Sequence, residues 1–264
     1  MEIAGYIAAL LIGLSLGLIG GGGSILTIPV LVYLFQIQPT LATGYSLFIV
    51  GCSSLAGAYK NYRRGYINIK AAFYFGIASI ITVVLIRKFL LPVIPEYLGV
   101  WGSITVTKSL VTMLLFGIVM IIASLHMIRK PLIVTQQQKD HPIRFTKAIV
   151  RGIEVGILTG LLGAGGGFII IPVLIFSFHL SMKEAIGTSL LIIAMNSLFG
   201  FAGDLFYHQF DWALLIPLTA IAITGTFIGR KLGEGLPGEK LKKGFGWFVL
   251  IMGIYIIIHE IFIK

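Results

Sequence analysis

Two glycine runs are the residues of this 264-residue chain best suited to do chemistry: Gly20-Gly21-Gly22-Gly23-Ser24 and Gly163-Ala164-Gly165-Gly166-Gly167. Glycine tolerates positive φ and leaves room for close approach, so such runs suit a tight turn better than the interior of a helix. Apolar stretches flank both runs, and opened backbone at membrane depth survives only where protein or a watery cavity satisfies its amides. A half-helix that starts after the glycines directs its free N–H groups and the positive end of its dipole back at the break, which is the chemistry of anion binding. Pro29 and Pro172 fall in the same half-helices, near enough to the start that their missing amides cost little. Thr43, Ser46, Thr188, Ser189 and Asn196 carry uncharged donors for oxyanion oxygens, and weak donors suit a ligand that must leave as well as bind. The competing use of all these residues is packing: Gly13/Gly17 and Gly156/Gly160 have the G-x-x-x-G spacing that lets helices touch, and hydroxyls bond between helices.

Other chemistries find little support. Neither run completes G-x-G-x-x-G, and no Gly-Lys-Ser/Thr follows for a phosphate-binding loop, so nucleotide-driven work by this chain alone is not expected. Cys52 is the only cysteine, which excludes an intrachain disulfide and a multi-cysteine metal site. No nucleophile and base pair or metal-ligand cluster is spelled out, so the chain reads as no enzyme and needs no cofactor. Glu154 lies one turn from Arg151 and is expected to pair with it near an interface; Asp204, His208 and Asp211 read as a short external loop. His126, His259 and Glu260 fall near segment ends, where an interfacial role is expected before a proton relay.

The elements that must hold these residues follow from composition. Hydrophobic residues make up 57% of the chain, charged ones only 11%, and the mean hydropathy is +1.00. Apolar segments run at 3–36, 40–59, 69–91, 108–128, 146–179, 184–203, 211–229 and 243–263. About 20 apolar residues cross a ~30 Å hydrocarbon layer as a helix, so the fold class is an all-α polytopic membrane protein. Residues 3–19 have no Lys or Arg before them, and their pattern recurs deep in the chain, so they read as mature structure and not as a cleaved leader. The net charge of +10 lies almost wholly between apolar segments, which argues for membrane orientation and against nucleic-acid binding.

A shift of 143 positions lays Gly13–Gly57 over Gly156–Gly200 without a gap, with 19 of 45 positions identical. Ser46 falls on Ser189, Ser53-Ser54 on Asn196-Ser197, and Arg87-Lys88 on Arg230-Lys231. The chain therefore divides into an N-terminal repeat, 1–130, a polar linker, 131–145, and a C-terminal repeat, 146–264. Residues 5–35 as one helix would measure about 46 Å, too long for one comfortable crossing, whereas the pieces on either side of the glycines are too short to span alone. Positive charge chooses between an interrupted crossing and a re-entrant hairpin. With all eight segments crossing, Lys and Arg split 11 to 9; with the first and fifth as hairpins they split 16 to 4. The second split obeys the positive-inside rule. It leaves three crossings per repeat, so the repeats are inverted, the linker is cytoplasmic and both termini lie outside. Lys60, Arg63 and Arg64 then mark the inner face, as orientation signal or as an electrostatic funnel for anions. Trp101, Trp212 and Trp247 read as interface anchors.

The doubled G-x-x-G-x-G-G followed by I-P-V-L, at 17–31 and 160–174, resembles the TauE/SafE sulfite exporter family over essentially the whole chain. That resemblance implies transport of small, often sulfur-containing anions such as sulfite, sulfoacetate or thiosulfate. The family motif falls on Gly20, Gly22 and Gly23 and on Gly163, Gly165 and Gly166, while Ser24 stands opposite Gly167. The expected protein is thus a multi-pass cell-membrane anion transporter working by alternating access, with the two breaks meeting near the midplane. Its partners are a small inorganic or organosulfur anion and the lipid bilayer, with a homo-oligomer left open. An ion channel and a non-transporting scaffold subunit are the alternatives; a channel for cations would normally show acidic rings, which this sequence lacks.

Overall fold

The computed structural model describes residues 2–20, 23–101, 104–129, 145–162, 166–178, 180–233 and 238–263. Gly21, Gly22, Gly163 and Gly165, and almost the whole 131–145 linker, lie outside that set. The first half is built of α1 (Glu2–Ile19), α2 (Ser24–Pro29) with a wide π-helical continuation over Val30–Leu34, α3 (Pro39–Tyr62), α4 (Ile69–Leu85) with a π-helical turn over Ile86–Leu90, and the short α5 (Leu91–Val93). A small antiparallel hairpin follows, β1 (Tyr97–Trp101) on β2 (Ile104–Thr107), then α6 (Lys108–Arg129). The second half comprises α7 (Phe145–Leu162), α8 (Gly167–Phe178), α9 (Met182–Asp204), α10 (Trp212–Gly233) and α11 (Gly238–Ile258), which ends in a π turn over His259–Ile263.

Local chemistry explains where these helices begin. Pro39 opens α3 at a position that needs no amide donor, the Asn68 side chain accepts from Ala71 N at 2.9 Å ahead of α4, and Ser181 and Glu184 form a reciprocal capping box for α9. Gly20 and Gly166 both adopt positive φ, +80° and +69°, beside the two breaks. After the first break the chain doubles back. Phe35, beyond the end of α2, packs edge-on against Tyr6 with ring centroids 6.5 Å apart, and fills the space over Gly5, where a Cβ would lie 2.1 Å from its ring. The second break turns the chain likewise: Phe178 packs on Phe75, whose carbonyl lies against Gly152 near the start of α7.

Packing between the halves is reciprocal. The helix pair α1 and α10 has its counterpart in α7 and α4, the pair α3 and α10 in α9 and α4, and α3 lies along α9 as α6 lies along α11. Gly44 faces Asp204, Gly51 faces Leu198 and Gly187 faces Asn61, so α3 and α9 run antiparallel through the middle of the molecule. Burial separates their roles: 72% and 67% of the apolar windows of α3 and α9 are buried, against 28% for α6. The central pair is rich in Gly, Ser and Thr, whereas exposed Ile, Leu and Phe cover the periphery, as expected where the surrounding solvent is hydrocarbon. Among the described residues five helices are long and apolar enough to cross a membrane: Pro39–Tyr62, Ile69–Val93, Lys108–His126, Met182–Asp204 and Trp212–Gly233. Gly5–Ile19 and Val249–Ile261 are shorter apolar helices. The molecule is an all-α polytopic membrane protein.

Candidate functional site

The central pair is where the chain's buried polar groups collect. Ser46, Ser53 and Ser54 on α3 and Ser189, Asn196 and Ser197 on α9 are all fully buried. The hydroxyls of Ser46, Ser53, Ser54 and Ser197 and the Oδ1 of Asn196 find no hydrogen-bond partner among the described residues. Ser189 touches the first break directly: its Oγ donates to the Gly20 carbonyl at 3.1 Å, and Ile186 on the same face packs against Gly20. Asn196 Nδ2 donates to Ser79 Oγ of α4 at 2.6 Å, and Thr188 Oγ1 accepts from Asn68 N at 2.9 Å. Both of these bonds tie helices together. Thr43 donates to the Thr40 carbonyl at 2.7 Å and accepts from Arg87 at 3.1 Å. Ser24 and Gly167 open α2 and α8, and both are buried. No side chain caps the start of α2 at Gly23, and Gly166 is held against Thr159, whose buried hydroxyl has no partner among the described residues.

The two breaks lie at different levels. Gly20 meets Ser189, seven residues into α9 and about 10 Å from its start. Gly160, just ahead of the second break, packs on Ile86 at the far end of α4. The seam between α3 and α9, carrying the unpartnered serines, runs from one level to the other. The short helices α2 and α8 that follow the breaks touch each other beside it. The offset arises because each break is seated by helices of the other half, a relation that does not show in the half's own sequence.

Asp204 departs from the expectation of a short external loop. It is the last residue of α9, 3% exposed, and its carboxylate holds Arg87 Nη1 at 2.5 Å. His208 and Asp211 are exposed, as a loop requires. The buried pair could have been read from Arg87, a charge inside the apolar 69–91 segment that calls for a partner at depth. Glu260 is also buried, 3% exposed, and accepts from the Tyr33 hydroxyl at 3.4 Å, while Arg151 and Glu154 form an exposed pair at 2.7 Å. At the opposite end from Asp204, Lys60, Arg64, Phe227, Ile228, Arg230 and Lys231 line a cavity of about 470 Å³, with Lys60 Nζ 4.0 Å above the Phe227 ring. Among the described residues no group of three or more His, Cys, Asp or Glu could hold a metal ion.

A sequence profile described as Sulfite exporter TauE/SafE matches residues 6–256. The chain belongs to the TauE/SafE sulfite exporter family. A probable membrane transporter protein of Xylella fastidiosa (strain Temecula1) is 30% identical over 257 residues, covering 94% of this chain and 91% of the relative. The probable membrane transporter protein YdhB of Bacillus subtilis is 27% identical, covering 94% and 96%. Another from Methanocaldococcus jannaschii is 24% identical, covering 96% and 94%. No solved structure matches the chain. This TauE/SafE member is thus a multi-pass protein of a membrane transporter family, whose names are those of transporters and not of enzymes.

Proposed function

We propose that the protein carries small sulfur-containing oxyanions, of the sulfite, sulfoacetate or thiosulfate class, by alternating access between two inverted repeats. One observation carries this reading: the buried hydroxyls of Ser46, Ser53, Ser54 and Ser197, without a partner among the described residues, form a polar seam between the two halves, between the levels of the glycine breaks. Buried polar atoms normally have partners, so a run of orphaned hydroxyls favours a ligand that supplies acceptors. Uncharged donors of this kind hold an oxyanion without trapping it. Substrate contacts fall to Gly20–Gly23, Ser24, Thr43, Ser46, Gly163, Gly165–Gly167, Thr188, Ser189 and Asn196, with Ser46 and Ser189 central. Reciprocal packing of the halves supports inversion, which puts the 131–145 linker in the cytoplasm and both termini outside. Alternation then comes from one half rocking against the other across the α3–α9 seam.

Flux into proteoliposomes tests the reading, with sulfite, sulfate, thiosulfate and an organosulfonate compared with and without a proton gradient. Saturable flux of at least one sulfur oxyanion is expected, and it is expected to vanish in Gly22→Leu and Gly165→Leu protein that still inserts. Absence of saturable flux for the whole panel, or undiminished flux in both variants, overturns it.

A further inference from the structure

Arg87 is a buried charge that the carrier reading leaves unused. Its side chain is 1% exposed and sends Nη1 to both the Asp204 carboxylate and the Thr43 hydroxyl. Its Nε and Nη2 are also buried, and neither finds an acceptor among the described residues. A guanidinium presents its donors as a planar fork that grips two oxygens at once, and leaving buried donors of a charged group unmet is costly. The orphaned nitrogens thus call for an oxyanion that Asp204 alone does not supply.

The other half supplies the comparison. In the 143-residue register Arg87 corresponds to Arg230 and Asp204 to Asn61. The crossings match: a Cβ on Gly44 would lie 3.1 Å from Asp204 Oδ2, and one on Gly187 3.2 Å from Asn61 Cβ. At the Arg87 end Tyr207 Oη also donates to the Lys88 carbonyl at 3.0 Å. At the Arg230 end the matching positions, Arg64 and Lys231, line the 470 Å³ cavity. Where the carboxylate is present the arginine is sealed in, and where an amide replaces it the arginine borders open space.

We propose that Arg87 is an anion-binding residue of the translocation path, and that in this state the Asp204 carboxylate occupies the place of the transported anion. Separation of the pair frees the guanidinium fork, with Thr43 beside it, for a small oxyanion. Re-forming the pair expels that anion, so Asp204 acts as a tethered competitor that prevents the site from holding its cargo. The inference rests on the carrier reading, and the two fail differently.

Wild-type flux of radiolabelled sulfite, sulfate, thiosulfate and an organosulfonate into proteoliposomes comes first, and its absence for the whole panel overturns the carrier reading itself; sulfite stands below for the anion that is carried. Given flux, Asp204→Asn is expected to bind sulfite roughly tenfold more tightly, read from the sulfite dependence of Tm, and to turn over more slowly. The gain is expected to disappear in the Arg87→Gln/Asp204→Asn double variant. Arg87→Lys keeps the charge beside Asp204 but loses the fork, so it decides the matter should Asp204→Asn not fold. Its KM for sulfite is expected to rise about tenfold, whereas a merely structural ion pair would leave KM unmoved. An unchanged KM in Arg87→Lys, or tighter binding by Asp204→Asn that survives loss of Arg87, overturns the assignment.

Discussion

Arg87 and Asp204 show how strongly single residues here depend on one another. Removing one partner of a buried ion pair strands the other charge, so Arg87→Met is expected to destabilise the protein by about 3–5 kcal/mol, measured by denaturant unfolding in detergent. Arg87→Met/Asp204→Leu is expected to recover most of that loss, because the pair is then replaced by apolar volume. Asp204 was hidden in the sequence by its neighbours: with His208 and Asp211 close behind, it reads as loop, although α9 continues through it. Glycine positions separate cleanly. Gly65 and Gly166 share the left-handed region, at φ +72° and +69°, but a Cβ on Gly65 meets nothing within 4 Å while one on Gly166 meets Thr159 Oγ1 at 2.1 Å. Alanine at Gly65 is therefore expected to cost only the conformational penalty of about 1–2 kcal/mol, and at Gly166 clearly more, on the same unfolding curves.

Helix crossings carry the next level of specification. Gly13 and Gly17 of α1 lie on the carbonyls of Ala222 and Thr226, where a Cβ would approach to 2.0 and 2.1 Å, and Gly225 and Gly229 of α10 lie on the carbonyls of Leu10 and Leu14. Backbones meet here with glycine on both sides, as in close helix packing within membranes. Gly17→Leu or Gly229→Leu is expected to force α1 and α10 apart and abolish the monodisperse peak in size-exclusion chromatography. Gly76→Ala, whose nearest neighbour would be 3.8 Å away, is expected to be silent. The G-x-x-x-G spacing of α1 was legible, and the matching Gly225/Gly229 spacing on α10 was there to be read with it. The β1–β2 hairpin was not anticipated, because Pro92, Pro95 and Glu96 give the 87–108 stretch the composition of a loop. Its signal was the β-branched run Ile104-Thr105-Val106-Thr107.

For the whole molecule, the helical membrane class was legible in the apolar composition, and a 143-residue register in a glycine run, a proline and a basic pair, which composition alone would not maintain. The levels of the breaks were not, since a hairpin's depth is set by the helices it lies against. In a Cys52→Ser background, cysteines at Gln38 and Ala4 are expected to react with an impermeant maleimide from the outer face, and a cysteine at Gly65 only from the cytoplasmic face. Labelling of Gln38→Cys and Ala4→Cys from opposite faces would remove the re-entrant geometry. For the carrier proposed above, Asn61 standing where the other half has Asp204 would have a kinetic consequence. A carrier without an energy source cannot shift the final concentration ratio, because forward and backward rates around its cycle must balance at equilibrium. In the proposed carrier, an Arg87–Asp204 pair without an equal in the other half would make half-saturation differ between the two faces, with maximal velocities differing in compensation, so the same protein would fill a vesicle and empty it along unlike saturation curves.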